Sequence, residues 1–420
     1  MQMKNTLRPY QKDGVQKLIE LTARRNAAIL ADEPGLGKTI QVAEFINKTN
    51  PDTVLIVCPA SLRVNWDKEL TKWILNHRHH YIRIASYEEV ARNIGSFDRF
   101  DLVVFDEAHY LKNPTAKRTK HCLSLAAGTR LFLTGTPIVN RPMDMFPILK
   151  SIGLKMSKTE FGKRFCAGKL VQIRWKPRKF AWDFSGASNQ KELAEALRRD
   201  IMVRRRKADV LTQLPAKIRQ VIDMAIDLDE PKPLCDAWER YYDGLDAAAD
   251  NISELKQIAF EELSAARLDI ARAKLPYVID YVKNTLEEEE KVVIFAHHRE
   301  IADALQEAFA AEYGAVKLQG GMTDKAKDKA VRAFQDGDSR VFVGQIQAAG
   351  TGITLTAAKT VVFAELDWVP GNMIQAEDRC HRMGQTDTVR VIHITATDSV
   401  DSRLIHALVE KQATIDEVIQ

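Results

Sequence analysis

Cysteine is scarce and scattered in this 420-residue chain: Cys58, Cys122, Cys166, Cys235 and Cys380, with no pair spaced as C-x-x-C. An odd, dispersed set excludes a disulfide framework and a structural zinc cage, and fits a reducing compartment. Long apolar runs are missing too, since nothing reaches the roughly 18 apolar residues of a membrane span. Met1 to Asn5 leads into no apolar core with a small-residue cleavage site, which argues against secretion. Repeats and low-complexity tracts are also lacking. What is present, 45% hydrophobic and 28% charged residues, is the composition of a soluble globular protein. At about 100–200 residues per domain, the length predicts two or three domains.

The formal net charge of +4 conceals a segregation. Residues 150–220 hold nineteen Lys and Arg against six Asp and Glu, whereas residues 221–290 hold seven against eighteen. A basic block of this size is an electrostatic footprint for a polyanion, nucleic acid being the commonest. Aromatics interleave with it in Arg174-Trp175-Lys176-Pro177-Arg178-Lys179-Phe180.

Short β-branched runs recur in two groups. The first comprises Ala27–Ala31, Thr53–Pro59, Leu102–Phe105 and Arg130–Thr134; the second comprises Lys291–Ala296, Arg340–Gly344, Thr360–Ala364 and Val389–Thr395. Each is followed by polar or glycine-containing loops and a helical pattern, which predicts parallel α/β sheets. Between the groups, Asn189–Asp200 and Pro233–Leu286 read as helical. The expected fold is α/β, with two parallel-sheet lobes and helical insertions near their junction. Lobe 1 is expected over 1–222, with a basic helical insertion at about 150–215. Lobe 2 is expected over 223–420, with a helical segment at about 230–288 before a C-terminal part from 289.

Three segments carry chemistry. The Ala27 strand runs into Asp32-Glu33-Pro34-Gly35-Leu36-Gly37-Lys38-Thr39. Glycines there let backbone N–H groups approach phosphate oxygens, a lysine reaches the β/γ-phosphates, and a hydroxyl holds Mg²⁺. The strict phosphate-loop pattern asks for Gly where this chain has Asp32. After the Leu102 strand comes Asp106-Glu107-Ala108-His109. Asp106 suits Mg²⁺ and Glu107 suits the attacking water, although such a pair alone is more often a helix N-cap. The third is Gln375-Ala376-Glu377-Asp378-Arg379-Cys380-His381-Arg382-Met383-Gly384-Gln385. Arg379 and Arg382 are three apart, so on a helix they would share a face and could reach a γ-phosphate.

With Leu7-Arg8-Pro9-Tyr10-Gln11 and Leu133-Thr134-Gly135-Thr136-Pro137, these segments follow the order of superfamily II helicase motors. More narrowly the chain resembles the Swi/Snf-type DNA translocases, whose phosphate loop commonly reads D-E-x-G-L-G-K-T, which accounts for Asp32. Pro34 stands where Met is frequent. The ending His381 to Gln385, H-R-x-G-Q, is also characteristic of them. Phe161 to Cys166, Trp182 to Asn189 and Arg204 to Leu211 resemble the HepA-related annealing-helicase branch. The resemblance spans nearly the whole chain and implies two RecA-like lobes in a bare motor without accessory domains.

It also implies roles. ATP and Mg²⁺ would be bound by Arg8, Gln11, Gly35, Leu36, Gly37, Lys38, Thr39, Gly352, Arg379 and Arg382, with the metal on Thr39 and Asp106. Catalysis would rest on Lys38, Asp106, Glu107, Arg379 and Arg382, with Gln11 on the adenine and Tyr10 nearby. Thr134, Gly135 and Thr136 would couple nucleotide state to DNA grip, and Gly350 to Ile353 would lie where the lobes meet. DNA would touch Pro59, Ala60, Ser61, Ser86, Tyr87, Thr136, Gln319, Gly320, Thr351 and Trp368; loop hydroxyls and backbone N–H groups suit phosphate contacts. The partner would be double-stranded or branched DNA rather than a membrane. The protein would work as a cytoplasmic, nucleoid-associated monomer of bacterial or phage source, its recruiting protein unspecified. Rival readings are a strand-separating DNA or RNA helicase and a slow-cycling ATP-binding scaffold. His297 and His298 read as hydrogen-bonded structural histidines.

Overall fold

The computed structural model describes residues 6–75, 80–135, 141–172, 180–211, 214–226, 252–349, 352–367, 369–397, 399, 401–402 and 405. These fall into two compact units, 6–165 with 187–211 and 166–186 with 214–405.

The strands of the first unit are β1 (Ala27–Leu30), β2 (Thr53–Cys58), β3 (Tyr81–Ser86), β4 (Phe100–Asp106), β5 (Ala127–Leu133) and, after the hairpin described below, β8 (Met202–Val203). They form one parallel sheet in the order β3-β2-β4-β5-β1-β8. Val54, Ile56, Leu102, Val104, Leu131, Leu133, Ala28 and Leu30 point alternately from these strands to one face. There they pack on Val15 and Leu18 of helix α1 (Pro9–Arg25), on Val42 and Ile46 of helix α2 (Lys38–Thr49), and on Trp66.

The second unit repeats the plan. Its strands β9 (Lys217–Met224), β10 (Val292–Ala296), β11 (Val316–Leu318), β12 (Val341–Gln345), β13 (Thr360–Phe363) and β14 (Val389–Ala396) are parallel, ordered β11-β12-β10-β13-β14-β9. Here both faces are covered: Val293, Phe295, Val361 and Phe363 enter one core, while Val292, Ile294, Val362 and Ala364 enter another. A strand buried on both faces has no polar alternation to show, which is why these runs read as continuously apolar.

All eight strands expected from sequence are present. The basic stretch expected to be helical contains helices Lys158–Phe165 and Gln190–Asp200, but also an antiparallel hairpin, β6 (Lys169–Gln172) with β7 (Phe180–Asp183), and β8. Residues 173–179, where its cations and aromatics are densest, lie outside the described residues. Residues 217–222, assigned to the first lobe from sequence, belong to β9 in the second sheet. Both β8 and β9 are edge strands, short or largely exposed, so burial leaves little apolar signature on them. Of the helical segment expected over Pro233–Leu286, residues 252–286 lie in the helix Ile252–Glu288, and its earlier residues lie outside the described residues. No helix among the described residues is long and apolar enough to cross a membrane.

Candidate active site

Three adjacent strands of the first sheet, β4, β5 and β1, end on the same edge, because parallel strands share a direction. The loop after β1 is the phosphate loop, β4 ends in Asp106, and Thr134 and Gly135 follow β5. Topology alone therefore gathers segments some 100 residues apart.

The loop is built as the glycines require. Gly35 and Gly37 take φ of 89° and 77°, a left-handed backbone that a side chain resists. A Cβ on Gly37 would also stand 2.6 Å from Gln11 Nε2, and one on Gly135 would stand 2.6 Å from Pro34 Cγ. Lys38 opens α2 with Thr39 in the same turn, so the free amides of the helix start face the loop. The Lys38 ammonium donates to the Asp32 carbonyl at 2.8 Å. Burial pushes its pKa down, and the charges of Glu107, Asp32 and Asp106 offset part of that. This lysine is thus desolvated, with carboxylates nearby that favour its charged form.

Asp106 is fixed on every side. Trp66 Nε1 donates to its Oδ2 at 2.8 Å, the Glu107 amide donates to Oδ1 at 2.9 Å, and the Tyr87 hydroxyl donates to its carbonyl at 2.8 Å. Burial, then the neighbouring Glu107 charge, raise its pKa to about 6 against the pull of Trp66 and Lys38. Asp106 is buried and Glu107 partly buried beside one lysine, so a divalent cation would relieve their charge, and a carboxylate on Asp106 with a hydroxyl on Thr39 is a donor chemistry that suits Mg²⁺. Glu107 adopts φ 52° and ψ 51°, which is uncommon for a residue with a side chain. His109 Nδ1 lies 3.2 Å from Glu107 Oε2.

Several other expected residues are hydrogen-bonded within the first unit. Gln11, expected on the adenine, donates to the Leu36 carbonyl at 3.2 Å and accepts from the Arg8 amide at 2.9 Å, closing the start of α1; Tyr10 also donates to Leu36. Arg8 is exposed. Ser86 and Tyr87, expected to touch DNA, are 6% and 0% exposed. The Ser86 hydroxyl caps the following helix through the Glu89 amide, and Tyr87 is occupied beneath Asp106, so neither side chain is presented to a DNA backbone here. Ser61 lies in the turn Ala60–Leu62. Thr136, Gly350, Thr351 and Trp368 lie outside the described residues.

In the second unit the arginine pair is not on a helix. That helix, Pro370–Glu377, stops before it, and the chain continues in tight turns held by Arg379 N to Ala376 O and by Cys380 N and His381 N to Glu377 O. The two guanidiniums nevertheless converge, since Arg379 and Arg382 both donate to the Ile353 carbonyl, at 3.4 and 3.0 Å. Gly352, beside it, has φ 75°. Gln319 and Gly320 follow β11, where Gln345 accepts from the Gly320 amide and donates to the His297 carbonyl. His298 is hydrogen-bonded to Glu365 at 2.5 Å, the structural role read from sequence.

Sequence reasoning missed Trp66, for which a lone tryptophan gives no signal, and the partner of Asp32. That carboxylate is wholly buried and receives Arg205 through its backbone N and Nε at 3.0 Å and NH2 at 2.5 Å, plus Gln41 Nε2 at 2.9 Å. The departure from glycine at this position is itself the clue, since a buried acid requires a cation.

Comparison with known proteins agrees with this layout. The SNF2-related domain matches residues 10–81 and 76–232, and the helicase conserved C-terminal domain matches 273–384. The chain is 34% identical over 98% of its length to "DNA annealing helicase and endonuclease ZRANB3" of Mus musculus, covering 40% of that protein. It is 33% identical over 97% of its length to "SWI/SNF-related matrix-associated actin-dependent regulator of chromatin subfamily A-like protein 1" of Xenopus tropicalis, covering 44% of it. The chain thus spans less than half the length of these relatives. Among solved structures, the Sulfolobus solfataricus SWI2/SNF2 ATPase core in complex with dsDNA aligns over 99% of this chain and 93% of its own, at 24% identity and a TM-score of 0.45. With its phosphate loop, Asp-Glu pair and arginine turn all inside the matched segments, the chain belongs to the SNF2-related family.

Proposed function

We propose that the protein is a DNA-dependent ATPase that moves along duplex DNA and remodels DNA structures, branched or forked DNA included. The observation that carries this reading is that the phosphate loop with Lys38, Asp106 and Gly135 lie at the ends of three adjacent strands. The amides of Gly35 to Thr39 and the Lys38 ammonium hold the phosphates. Thr39 and Asp106 would hold Mg²⁺, which would neutralise charge on the phosphate oxygens. Glu107 orients the attacking water, and Arg379 and Arg382 stabilise the charge on the transferring phosphoryl group.

Hydrolysis becomes movement only if DNA binds the nucleotide states with different affinity, since a ligand shifts an equilibrium by no more than its differential affinity. The relative named as a DNA annealing helicase supports DNA as the substrate. The finer reading places the protein in the cytoplasm as a monomer on nucleoid DNA. The test is ATP turnover measured with single-stranded, duplex and forked DNA and with RNA. Weak turnover alone, rising about tenfold or more with duplex or forked DNA, is expected. A rate raised by RNA and unchanged by duplex DNA would overturn it.

A further inference from the structure

The chain between the two sheets carries cations that the proposed mechanism has not used. On leaving β8, three of its residues meet three successive residues of the phosphate loop. Arg204 NH1 donates to Ala31 O at 2.8 Å, Arg205 pairs with Asp32, and the Lys207 amide donates to Glu33 Oε2 at 2.7 Å. Arg205 reaches beyond the loop as well, donating to the Tyr10 carbonyl in α1 and, at 2.6 Å, to Gln41 Oε1 in α2. A Cβ on Gly14 would collide with Arg205 NH2, so α1 leaves room for the guanidinium. The residue that Arg205 holds by its carboxylate, Asp32, is the one whose carbonyl holds Lys38.

Further along the same stretch, at Lys217, the pattern recurs inside the second unit. Arg219 donates to both oxygens of Glu377, at 2.9 and 2.7 Å, and Lys217 meets Glu377 at 2.8 Å and Asp378 at 3.2 Å. The Pro215 carbonyl lies 2.8 Å from His381 Nε2. Glu377 is 2% exposed, and its carbonyl accepts the Cys380 and His381 amides that shape the arginine turn. At both ends the device is the same. A buried acid is gripped by an arginine fork through its side chain, and its backbone carbonyl holds the catalytic segment. The planar fork fixes geometry as well as charge, which a lysine cannot do.

We propose that Arg205 and Arg219 are positioning residues for ATP hydrolysis, Arg205 setting the phosphate loop and Arg219 the arginine turn. The residues that follow β8 and the start of β9 are then part of the hydrolytic machinery. This rests on the ATPase reading above. The two grips act on different stages: the phosphate loop meets ATP in the ground state, whereas the arginines meet charge that develops in the transition state.

The experiment is steady-state ATP turnover by the full chain with saturating duplex DNA, for wild type, Arg205→Lys, Arg205→Gln, Arg219→Gln and Arg219→Lys, with thermal melting of each. For both Arg205 variants KM for ATP should rise about fivefold or more with kcat within about twofold. Arg219→Gln should lower kcat about tenfold or more with KM within about twofold, and Arg219→Lys should recover part of it. Arg205→Lys serves if Arg205→Gln does not fold. Folded variants with unchanged KM and kcat would overturn the proposal, as would losses of activity that merely track the melting temperature without this split. A wild type that hydrolyses no ATP under any DNA condition would defeat the functional reading first, and this proposal with it.

Discussion

In the proposed reaction Lys38 serves binding and Glu107 bond cleavage, and substitution should separate the two. Lys38→Ala removes the ammonium at the end of the phosphate loop, so ATP binding, read with a fluorescent nucleotide, should be lost. Glu107→Gln keeps the shape and removes the base, so nucleotide affinity should persist while turnover falls about 10²–10⁴-fold. A Glu107→Gln enzyme that hydrolyses ATP like the wild type would remove Glu107 from the mechanism. Gly135→Ala is a purely steric probe: its methyl would press on Pro34 of the phosphate loop, and stability should fall by about 1–3 kcal/mol in urea unfolding. These residues are legible in the sequence because loop chemistry permits few alternatives there. Tyr87 is not, because its hydroxyl suits a DNA phosphate equally well on paper, and only its burial under Asp106 decides the matter.

The elements that bring these residues together differ in how plainly the sequence announces them. Central strands such as β4 and β10 are buried on both sides or lined by apolar neighbours, so their runs stand out. Edge strands β3, only partly buried over most of its length, and β9, largely exposed, carry weaker apolar runs and pass for loop or helix. The arginine segment keeps its spacing but not its helix, since Pro370–Glu377 ends where Glu377 is drawn to β9. That ion cluster makes a prediction about acid stability. Burial alone would raise the Glu377 carboxyl, but Lys217 and Arg219 outweigh it and hold the pKa at about 2. A carboxyl depressed from the usual ~4.5 contributes roughly 3 kcal/mol above pH 5, lost as pH falls through about 2. His393, also facing Glu377, is lowered to about 4 by burial, against the pull of that carboxylate, and adds to the loss as pH falls below ~6.5. Glu377→Gln should therefore flatten stability between about pH 5 and 2 in urea unfolding, while costing about 3 kcal/mol at pH 7 by stranding Lys217 and Arg219. An unchanged acid slope would contradict this cluster as its source.

For the whole molecule, grip on DNA through phosphates should show little base preference and should weaken steeply with salt, log affinity falling linearly with log salt concentration. Filter binding to unrelated duplexes across a salt series would check both. The two-sheet plan and the family are legible because catalytic segments sit at strand ends, where their order along the chain survives. The hairpin in the basic block is not, because two antiparallel strands of four residues each are too short to carry a clear periodicity. The most direct test of a motor on duplex DNA is displacement of a third strand from a triplex, with no unwinding of the underlying duplex. The wild-type protein should displace it with ATP and not without, and Glu107→Gln should fail. Displacement independent of ATP, or equal in Glu107→Gln, would contradict a motor driven by this site.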